Sequence, residues 1–466
     1  MPVLDFFQEI LSNAAILVGL LALVGLVAAR ASLPDVVTGT LKTILGFLIL
    51  GGGAGILIAA LDPLGTMISE GLGLQGVVPT NEAVVALAQE NFGAQTAGIM
   101  GLAFVVNLAL ARFTKLRYVF LTGHHVFFMA ALTAVTIGVT GMEGWQLLIT
   151  GALITGSVMV LMPAIAQPFM RRITGGEEIA MGHFGTLAYV SAGLVGSGVG
   201  DPEKSTEDFD VPRGLSFFRD SLISTAVAML VVYLIFAIIA GPTLVTELAG
   251  GSNPWVFAIM QALTFAAGVW IILVGVRMII GEIVPAFEGI SERLIPNAVP
   301  ALDVPIVFPY APTAVIIGFA ASVVGGLASM LVLGPLGLAL IIPGMVPHFF
   351  TGAGAGVFGN AMGGRVGAIA GGFVNGVLIT FLPAFLLQFL GDLGFANTTF
   401  GDADFSWVGL VTGYAAEAGA ALVWIWALIL VAATFVVGNM FPKLRPDYLA
   451  SQAAVEGEAE AAQSTA

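Results

Sequence analysis

A succession of apolar runs, each long enough to cross a bilayer, constrains this chain more than any other feature. They fall near 12–29, 41–61, 93–111, 118–141 and 145–168, then near 221–241, 255–281, 311–334, 335–357, 366–391 and 405–441. A hydrocarbon core about 30 Å thick needs about 20 apolar residues as a helix. In lipid every backbone polar group must be paired within the protein, so only helices and closed barrels can span. These runs predict an all-α integral membrane protein with about eleven transmembrane helices. Composition agrees: 58% of residues are hydrophobic, 9% are charged and the mean hydropathy is +1.02, outside the globular range. The 61 Gly and 22 Pro predict helices that are broken or closely packed, as is tolerated where backbone lines a cavity.

The chain also contains itself twice, about 220 residues apart. Glu9–Ile10–Leu11–Ser12–Asn13–Ala14–Ala15 is echoed by Asp220–Ser221–Leu222–Ile223–Ser224–Thr225–Ala226. Gly53 followed by Pro63, Ser69, Glu70 and Leu72 matches Gly275 followed by Pro285, Ser291, Glu292 and Leu294. Ala94–Gln95–Thr96–Ala97, running to Gly101, Ala103 and Val106, matches Ala311–Pro312–Thr313–Ala314, running to Gly318, Ala320 and Val323. In a membrane protein such a duplication points to a transporter with its site between the halves. The predicted divisions are a first repeat over 1–170, a cytoplasmic connection over 171–219 and a second repeat over 220–391. A final helix with its preceding loop covers 392–441, and a disordered cytoplasmic tail covers 442–466.

Few charges remain to set the orientation. Arg171, Arg172, Lys204, Arg213 and Arg219 share one polar connection, and Lys443 and Arg445 follow the last run. The positive-inside rule places both regions in the cytoplasm. Five runs precede the connection, so the amino terminus is expected outside and the second repeat inverted. Met1–Glu9 carries Asp5 and Glu9 but no basic residue, so no cleavable signal peptide is expected. Much of the acidic excess lies in the Ala/Gln/Glu-rich end, with Glu456, Glu458 and Glu460. Cysteine is absent, which excludes disulfides, thiolate metal sites and cysteine nucleophiles. No Walker-type glycine loop and no His–Glu–x–x–His cluster occurs, so no cofactor or metal is expected.

Two proline-broken stretches, 62–92 and 283–310, occupy equivalent places in the repeats. The first holds Val78–Pro79–Thr80–Asn81–Glu82 and the second Val299–Pro300–Ala301–Leu302–Asp303. The repeat offset sets Asp303 opposite Asn81, each just after a proline. Proline frees carbonyls and pushes its predecessor out of helical geometry, so both stretches are expected to re-enter the membrane and bring polar groups to one cavity. The alternative is a surface loop capped by Asn and Asp. Among the four histidines, His124 follows Leu121–Thr122–Gly123 and His183 follows Met181–Gly182. An ionisable group within the membrane beside a glycine is a functional candidate, against the plainer role of a hydrogen-bonded packing residue. His348 occupies the second-repeat counterpart of the His124 region. His125 is expected to turn away, because adjacent helical residues point about 100° apart.

At these positions the chain resembles the membrane subunit, enzyme IIC, of the ascorbate-type bacterial phosphotransferase system. The matching pieces include Gly39–Thr40–Leu41–Lys42–Thr43, Gly53–Ala54–Gly55, Leu121–Thr122–Gly123–His124 and Met181–Gly182–His183. They continue with Gly275–Val276–Arg277–Met278, Ala286–Phe287–Glu288–Gly289–Ile290–Ser291, Arg293–Leu294–Ile295–Pro296, Tyr310–Ala311–Pro312–Thr313–Ala314–Val315 and Ile341–Ile342–Pro343–Gly344. The resemblance runs from about residue 10 to about 440. It implies a homodimeric permease of the bacterial cell inner membrane, with a scaffold and a mobile core in each protomer. It also implies a substrate that a IIB partner, itself charged by IIA, phosphorylates on the cytoplasmic side. With no cysteine to carry a phosphoryl group, the chain is expected to be a transport subunit and not an enzyme. Arg171, Arg172, Arg213 and Arg219 are candidate docking contacts, against a role in topology alone.

By the same resemblance His124, His183 and Asp303 contact the substrate; Asn81 and Glu82 beside the first proline break, Phe128 and Phe184, whose faces suit the C–H side of a sugar ring, and Ala54 complete the expected substrate-binding residues. Four of these depart from the ascorbate-type pattern. That pattern has Gln where this chain has Phe128 and Phe184, and a Thr–Tyr pair where it has Asn81–Glu82. Losing the partner of a buried hydroxyl costs roughly 1–3 kcal/mol, and an added acid repels an anion. Ascorbate remains the reference substrate, with a neutral polyol or sugar favoured by the acids, which accept from hydroxyls. The alternative class is an ion-coupled secondary transporter in which Glu82, Asp303 or Glu288 carries a proton. A channel is disfavoured by the lack of a repeated carbonyl filter motif.

Overall fold

A computed structural model describes residues 10, 13–28, 30–71, 77–79, 81–138, 140–176, 179–208, 221–293, 295, 298–390 and 398–448. Met1–Glu9, Arg213, Arg219, the expected tail beyond 448 and parts of the two proline-broken stretches (72–76, 80, 294 and 296–297) lie outside them. In chain order the elements are α1 (Ala14–Ala28), α2 (Leu33–Gly71), β1 (Val78–Pro79), α3 (Asn81–Phe113), β2 (Tyr118–Phe120), α4 (Gly123–Gly138), α5 (Gly144–Thr174), β3 (Ala180–Met181) and α6 (Thr186–Val199). A short 3-10 turn, Thr206–Asp208, follows α6. The second half begins with α7 (Ser221–Ala240), α8 (Pro242–Leu248), α9 (Pro254–Arg293) and β4 (Val299–Leu302). A 3-10 helix (Val304–Tyr310) then leads to α10 (Pro312–Leu333), α11 (Met345–Leu390), β5 (Thr398–Thr399), α12 (Ala403–Glu417) and α13 (Ala420–Met440).

The fold is helical, as the apolar runs require. Among the described residues six helices are long and apolar enough to cross a membrane, or seven if Met229–Ala240 and Pro242–Leu248, bent by 116°, form one span. Several runs divide differently from the sequence reading. The run at 118–141 opens as a strand and becomes α4 only at Gly123. The runs at 335–357 and 366–391 meet in the single element α11, broken at Gly363 and Gly364. The run at 405–441 is two helices, separated at Gly419 with φ 118°. The stretch 171–219, expected as a connection, carries β3 and α6.

Two bundles result. Helices α1, α2, α7 and α9 pack mainly on one another, and α3–α6 pack with α10–α13. Within the first, Lys42 on α2 pairs with Glu282 on α9 at 2.8 Å. The bundles meet through apolar rings: Phe265 on α9 stacks on Phe319 of α10 at 6.3 Å and meets Phe349 of α11 edge-on at 5.2 Å. Inside the second bundle the helices touch backbone to backbone. A Cβ on Gly318 of α10 would lie 2.3 Å from the Gly352 carbonyl of α11, and one on Gly356 would lie 2.3 Å from that of Ala314. Small residues give membrane helices the van der Waals contact that lipid cannot supply by hydrophobic exclusion.

The break in α11 is clasped by the loop after α6. The Asp201 N–H donates to the Gly363 carbonyl at 3.1 Å, and the Arg365 N–H donates to that of Lys204 at 2.8 Å. Gly364 adopts φ 59°, and a Cβ there would lie 2.3 Å from the Asp201 and Lys204 carbonyl oxygens. Only glycine satisfies both demands.

Among the described residues five short strands sit between the helices. β4, from the second half, lies between β2 and β3 of the first, and all three are parallel. β1, from the first half, pairs in parallel with β5, and its neighbour Val77 bridges to Ile341, both from the second half. Each sheet therefore takes its central strand from the opposite half.

Candidate functional site

Parallel strands have their carboxyl ends at one edge, and that edge gathers the predicted residues. His124 follows β2 by way of Leu121–Thr122–Gly123, Asp303 directly follows β4, and Gly182–His183 follows β3. Pairing continues past the strands: the Leu121 N–H donates to the Ala301 carbonyl at 2.9 Å and the Gly182 N–H to that of Leu302 at 2.6 Å. A Cβ on Gly182 would lie 2.3 Å from the Ala301 carbonyl oxygen, so glycine is what lets His183 sit against Asp303.

Asp303 stands between the two imidazoles. Its Oδ2 is 3.5 Å from His124 Nε2 and its Oδ1 is 3.9 Å from His183 Nε2. Oδ1 also accepts the Val304 N–H at 2.7 Å, capping the 3-10 helix. Both histidine gaps exceed hydrogen-bond length, and a hydroxyl lodged beside the carboxylate bridges such gaps. The Asp303 and His124 side chains are 17% and 27% exposed, whereas His183 is 4% exposed, so the site opens on the His124 side. Near it Thr122 Oγ1 and His124 Nδ1 are buried with no hydrogen-bond partner among the described residues. Buried polar atoms of this kind are costly unless something pairs with them.

The other predicted residues differ in their surroundings. Asn81 opens α3, donates through Nδ2 to Asp402 Oδ2 at 2.9 Å and accepts the Gly401 N–H at 2.8 Å. It thereby ties the end of β1 to the segment after β5. Phe128 presents its ring edge to His124 at 5.8 Å. Phe184 does not line an open pocket: it is fully buried, stacked on Phe120 at 4.7 Å and edge-on to Phe405 at 5.5 Å. The side chains of Ala54 on α2 and Glu82 on α3 lie outside the described ones. His348, the counterpart of the His124 region, is buried and bonds through Nδ1 to Ser322 Oγ at 2.7 Å, in the packing role.

Three residues near the site, Tyr189, Asp402 and Asp404, are not singled out by the sequence, and a fourth, His125, lies where the sequence does not place it. His125 does not turn away; its ring lies 3.9 Å from that of His183 and stacks on Phe405 at 5.4 Å. A 100° step around α4 carries it off the His124 face, and the turn after β3 fills that side. Tyr189 on α6 meets His183 Nδ1 through its hydroxyl at 2.8 Å. Asp404 accepts the Thr186 and Leu187 N–H groups at 2.8 and 3.0 Å and Trp407 Nε1 at 2.9 Å, anchoring the start of α6. Asp402 is buried beside the histidines. Two acids, Asp402 and Asp404, at the very edge of the run at 405–441 were the available signal.

Among the described residues two trios bring donor atoms within 4.8 Å of one another: His124, His125 and Asp303, and His125, His183 and Asp402. Both would need His125 to ligate a metal. His125 Nδ1 already accepts the Phe184 N–H at 3.3 Å, so in the neutral ring the proton sits on Nε2. Neither nitrogen then offers a lone pair while that hydrogen bond stands, and the cluster is suited to hydrogen bonding hydroxyls more than to holding a cation.

Residues 9–404 match the family model of the sugar-specific permease component of the PTS, or phosphotransferase, system (EIIC-GAT). The ascorbate-specific PTS system EIIC component of Mycoplasma pneumoniae is 25% identical over 410 residues, which cover 76% of this chain. The chain spans 62% of the length of that relative.

Proposed function

The chain belongs to the family of sugar-specific permease components of the phosphotransferase system, and from that premise we propose that it binds ascorbate or a related polyol or sugar acid and carries it across the bacterial inner membrane. A IIB protein, recharged by IIA, phosphorylates the substrate at the cytoplasmic face. A permease component is a transport subunit and not itself catalytic, so the phosphoryl chemistry belongs to the partner. The observation that carries the reading is Asp303 set between the Nε2 atoms of His124 and His183, at distances of 3.5 and 3.9 Å. A carboxylate accepts from substrate hydroxyls while the imidazoles donate to their oxygens.

The two halves act as inverted repeats in this reading. The succession α1, α2, β1, α3, β2, α4, α5, β3, α6 is followed, in order, by α7, α9, β4, α10, the Ile341 bridge, the two arms of α11, β5 and α12. Swapped central strands support the pairing, and so does the placement of Asn81 and Asp303 after equivalent strands. α13 is left over. The second bundle carries the whole strand-end site, so it is the mobile core, and the first is the scaffold of a homodimer. Apolar rings at the boundary offer no directional bonds to break, which suits a core that slides as a rigid body.

Uptake of labelled ascorbate and hexitols tests this, in cells with and without the IIB partner. Phosphorylated product inside, dependent on both the chain and IIB, is the expected result. Unmodified solute accumulating against its gradient without IIB would establish the ion-coupled alternative instead.

A further inference from the structure

His183 has two ring nitrogens with different neighbours. Nε2 faces Asp303 at 3.9 Å, and Nδ1 meets the Tyr189 hydroxyl at 2.8 Å. A neutral imidazole carries one proton, and the group on one nitrogen fixes where it sits. If Nδ1 held the proton, the Nε2 lone pair would face a carboxylate, acceptor against acceptor. With the tyrosine hydroxyl donating to Nδ1, Nε2 carries the proton and points it at the site. The phenol is fully buried, so its O–H must find an acceptor, and Nδ1 supplies one.

The surroundings are shaped to hold this contact. A Cβ on Gly185 would lie 2.7 Å from the Tyr189 hydroxyl oxygen and 3.1 Å from His183 Nδ1. A Cβ on Gly354 of α11 would lie 2.8 Å from the tyrosine ring. Asp404 secures the first turn of α6, from which Tyr189 projects. The His125 ring closes the remaining face of His183 at 3.9 Å. Glycines on two elements, an anchored helix and a stacked ring thus build a socket around one hydrogen bond.

We infer that Tyr189 is a positioning residue for the substrate site, holding His183 as the tautomer that presents Nε2–H to a substrate hydroxyl. The inference rests on the transport reading for its purpose but not for its test. Solid-state 15N NMR of the full chain, labelled at histidine and reconstituted in lipid, reads the tautomer directly. Only four histidines occur, and the signal lost in His183→Gln identifies the one in question. The parent should show a protonated Nε2 and a bare, hydrogen-bonded Nδ1. Tyr189→Phe keeps the ring in its socket and should give a mixture of tautomers. In the same variant, binding of radiolabelled L-ascorbate or galactitol should weaken roughly threefold to tenfold, the worth of one net hydrogen bond. A protonated Nδ1 in the parent overturns the inference without need of any variant, and so does an unchanged His183 signal in Tyr189→Phe. Failure of both probes to bind the parent counts against the transport reading, while the NMR result still decides the role of Tyr189.

Discussion

Replacing Asp303 by asparagine separates its two tasks. The carboxylate caps the 3-10 helix through the Val304 N–H at 2.7 Å and faces two imidazoles at 3.5 and 3.9 Å. In Asp303→Asn the amide oxygen can keep the cap, which leaves an NH2 group where Oδ2 faced His124. Donors then confront donors, and a substrate hydroxyl loses its charged acceptor. Hydrogen bonds to charged groups contribute about 1.5–3 kcal/mol, against about 0.5–1.5 for neutral ones. The expected loss of binding is about 1–3 kcal/mol, or roughly 5- to 150-fold in Kd. Folding should change by less than about 1 kcal/mol because the cap survives, whereas Asp303→Ala should lose the cap as well, at about 1 kcal/mol. Equilibrium binding, uptake and thermal unfolding of parent, Asn and Ala forms provide the comparison. If the Asn form binds and transports within about twofold of the parent, a difference of about 0.4 kcal/mol, while the Ala form alone is destabilised, Asp303 is a structural cap and the site is elsewhere.

Other substitutions probe the frame. Gly364→Ala puts a Cβ 2.3 Å from two carbonyl oxygens at φ 59°, so it should cost about 2–3 kcal/mol or more; a parental Tm would show that the loop clasp does not hold the break in α11. Phe128→Gln adds an amide beside His124, 5.8 Å away ring to ring, and should improve ascorbate binding relative to a hexitol about tenfold; no change in that ratio would remove Phe128 from specificity. Arg171 fastens the segment after α13, donating to the Lys443 carbonyl at 2.7 Å and to that of Arg445, and lying 5.6 Å from the Tyr448 ring. Arg171→Ala should lower Tm while substrate Kd stays within twofold, and a large loss of binding would mean that this end reaches the site.

Helices were legible from sequence because length and continuity of apolar residues suffice to define them in lipid. His124, His183 and Asp303 were legible for another reason: ionisable groups in an apolar chain, each beside a glycine or shortly after a proline, are costly unless used. The sheets were not legible. Tyr118 pairs with Val299 and Val78 with Thr398, contacts between distant residues that no local period encodes, and strands of two to four residues vanish within an apolar run. His125 was misplaced because a helical wheel assigns direction relative to its own axis, not to the β3–α6 turn packed behind it. Asp402 and Asp404 fall in the loop expected before the run at 405–441, where acids are ordinary, and only contacts with distant residues such as Asn81, Thr186 and Leu187 bring them to the site. The break at Gly419 had no signal stronger than the other glycines of this chain.

Under the proposed reading, release is the step that the charges of the site make directional. Asp303 and Asp402 border the same histidine cluster. His125 cannot add a positive charge while its Nδ1 accepts the Phe184 N–H, so it does not offset them. A neutral substrate meets Asp303 there as a good acceptor, with Asp402 buried nearby, but its phosphorylated product brings nearly two negative charges. Like charges 4 Å apart repel by about 4 kcal/mol at an effective dielectric of 20, enough to reverse net binding by about three orders of magnitude. Under the proposed reading, phosphoryl transfer by IIB would thus expel the product to the cytoplasm, and the core would return empty. An anion such as ascorbate pays part of this penalty on entry, which predicts weaker binding of ascorbate than of a neutral hexitol to the parent. Titrating the purified protein with a hexitol, its phosphate ester and ascorbate measures all three affinities. Equal affinity for the free and phosphorylated hexitol would show that repulsion does not drive release, and the direction of transport would then have to come from the motion of the core alone.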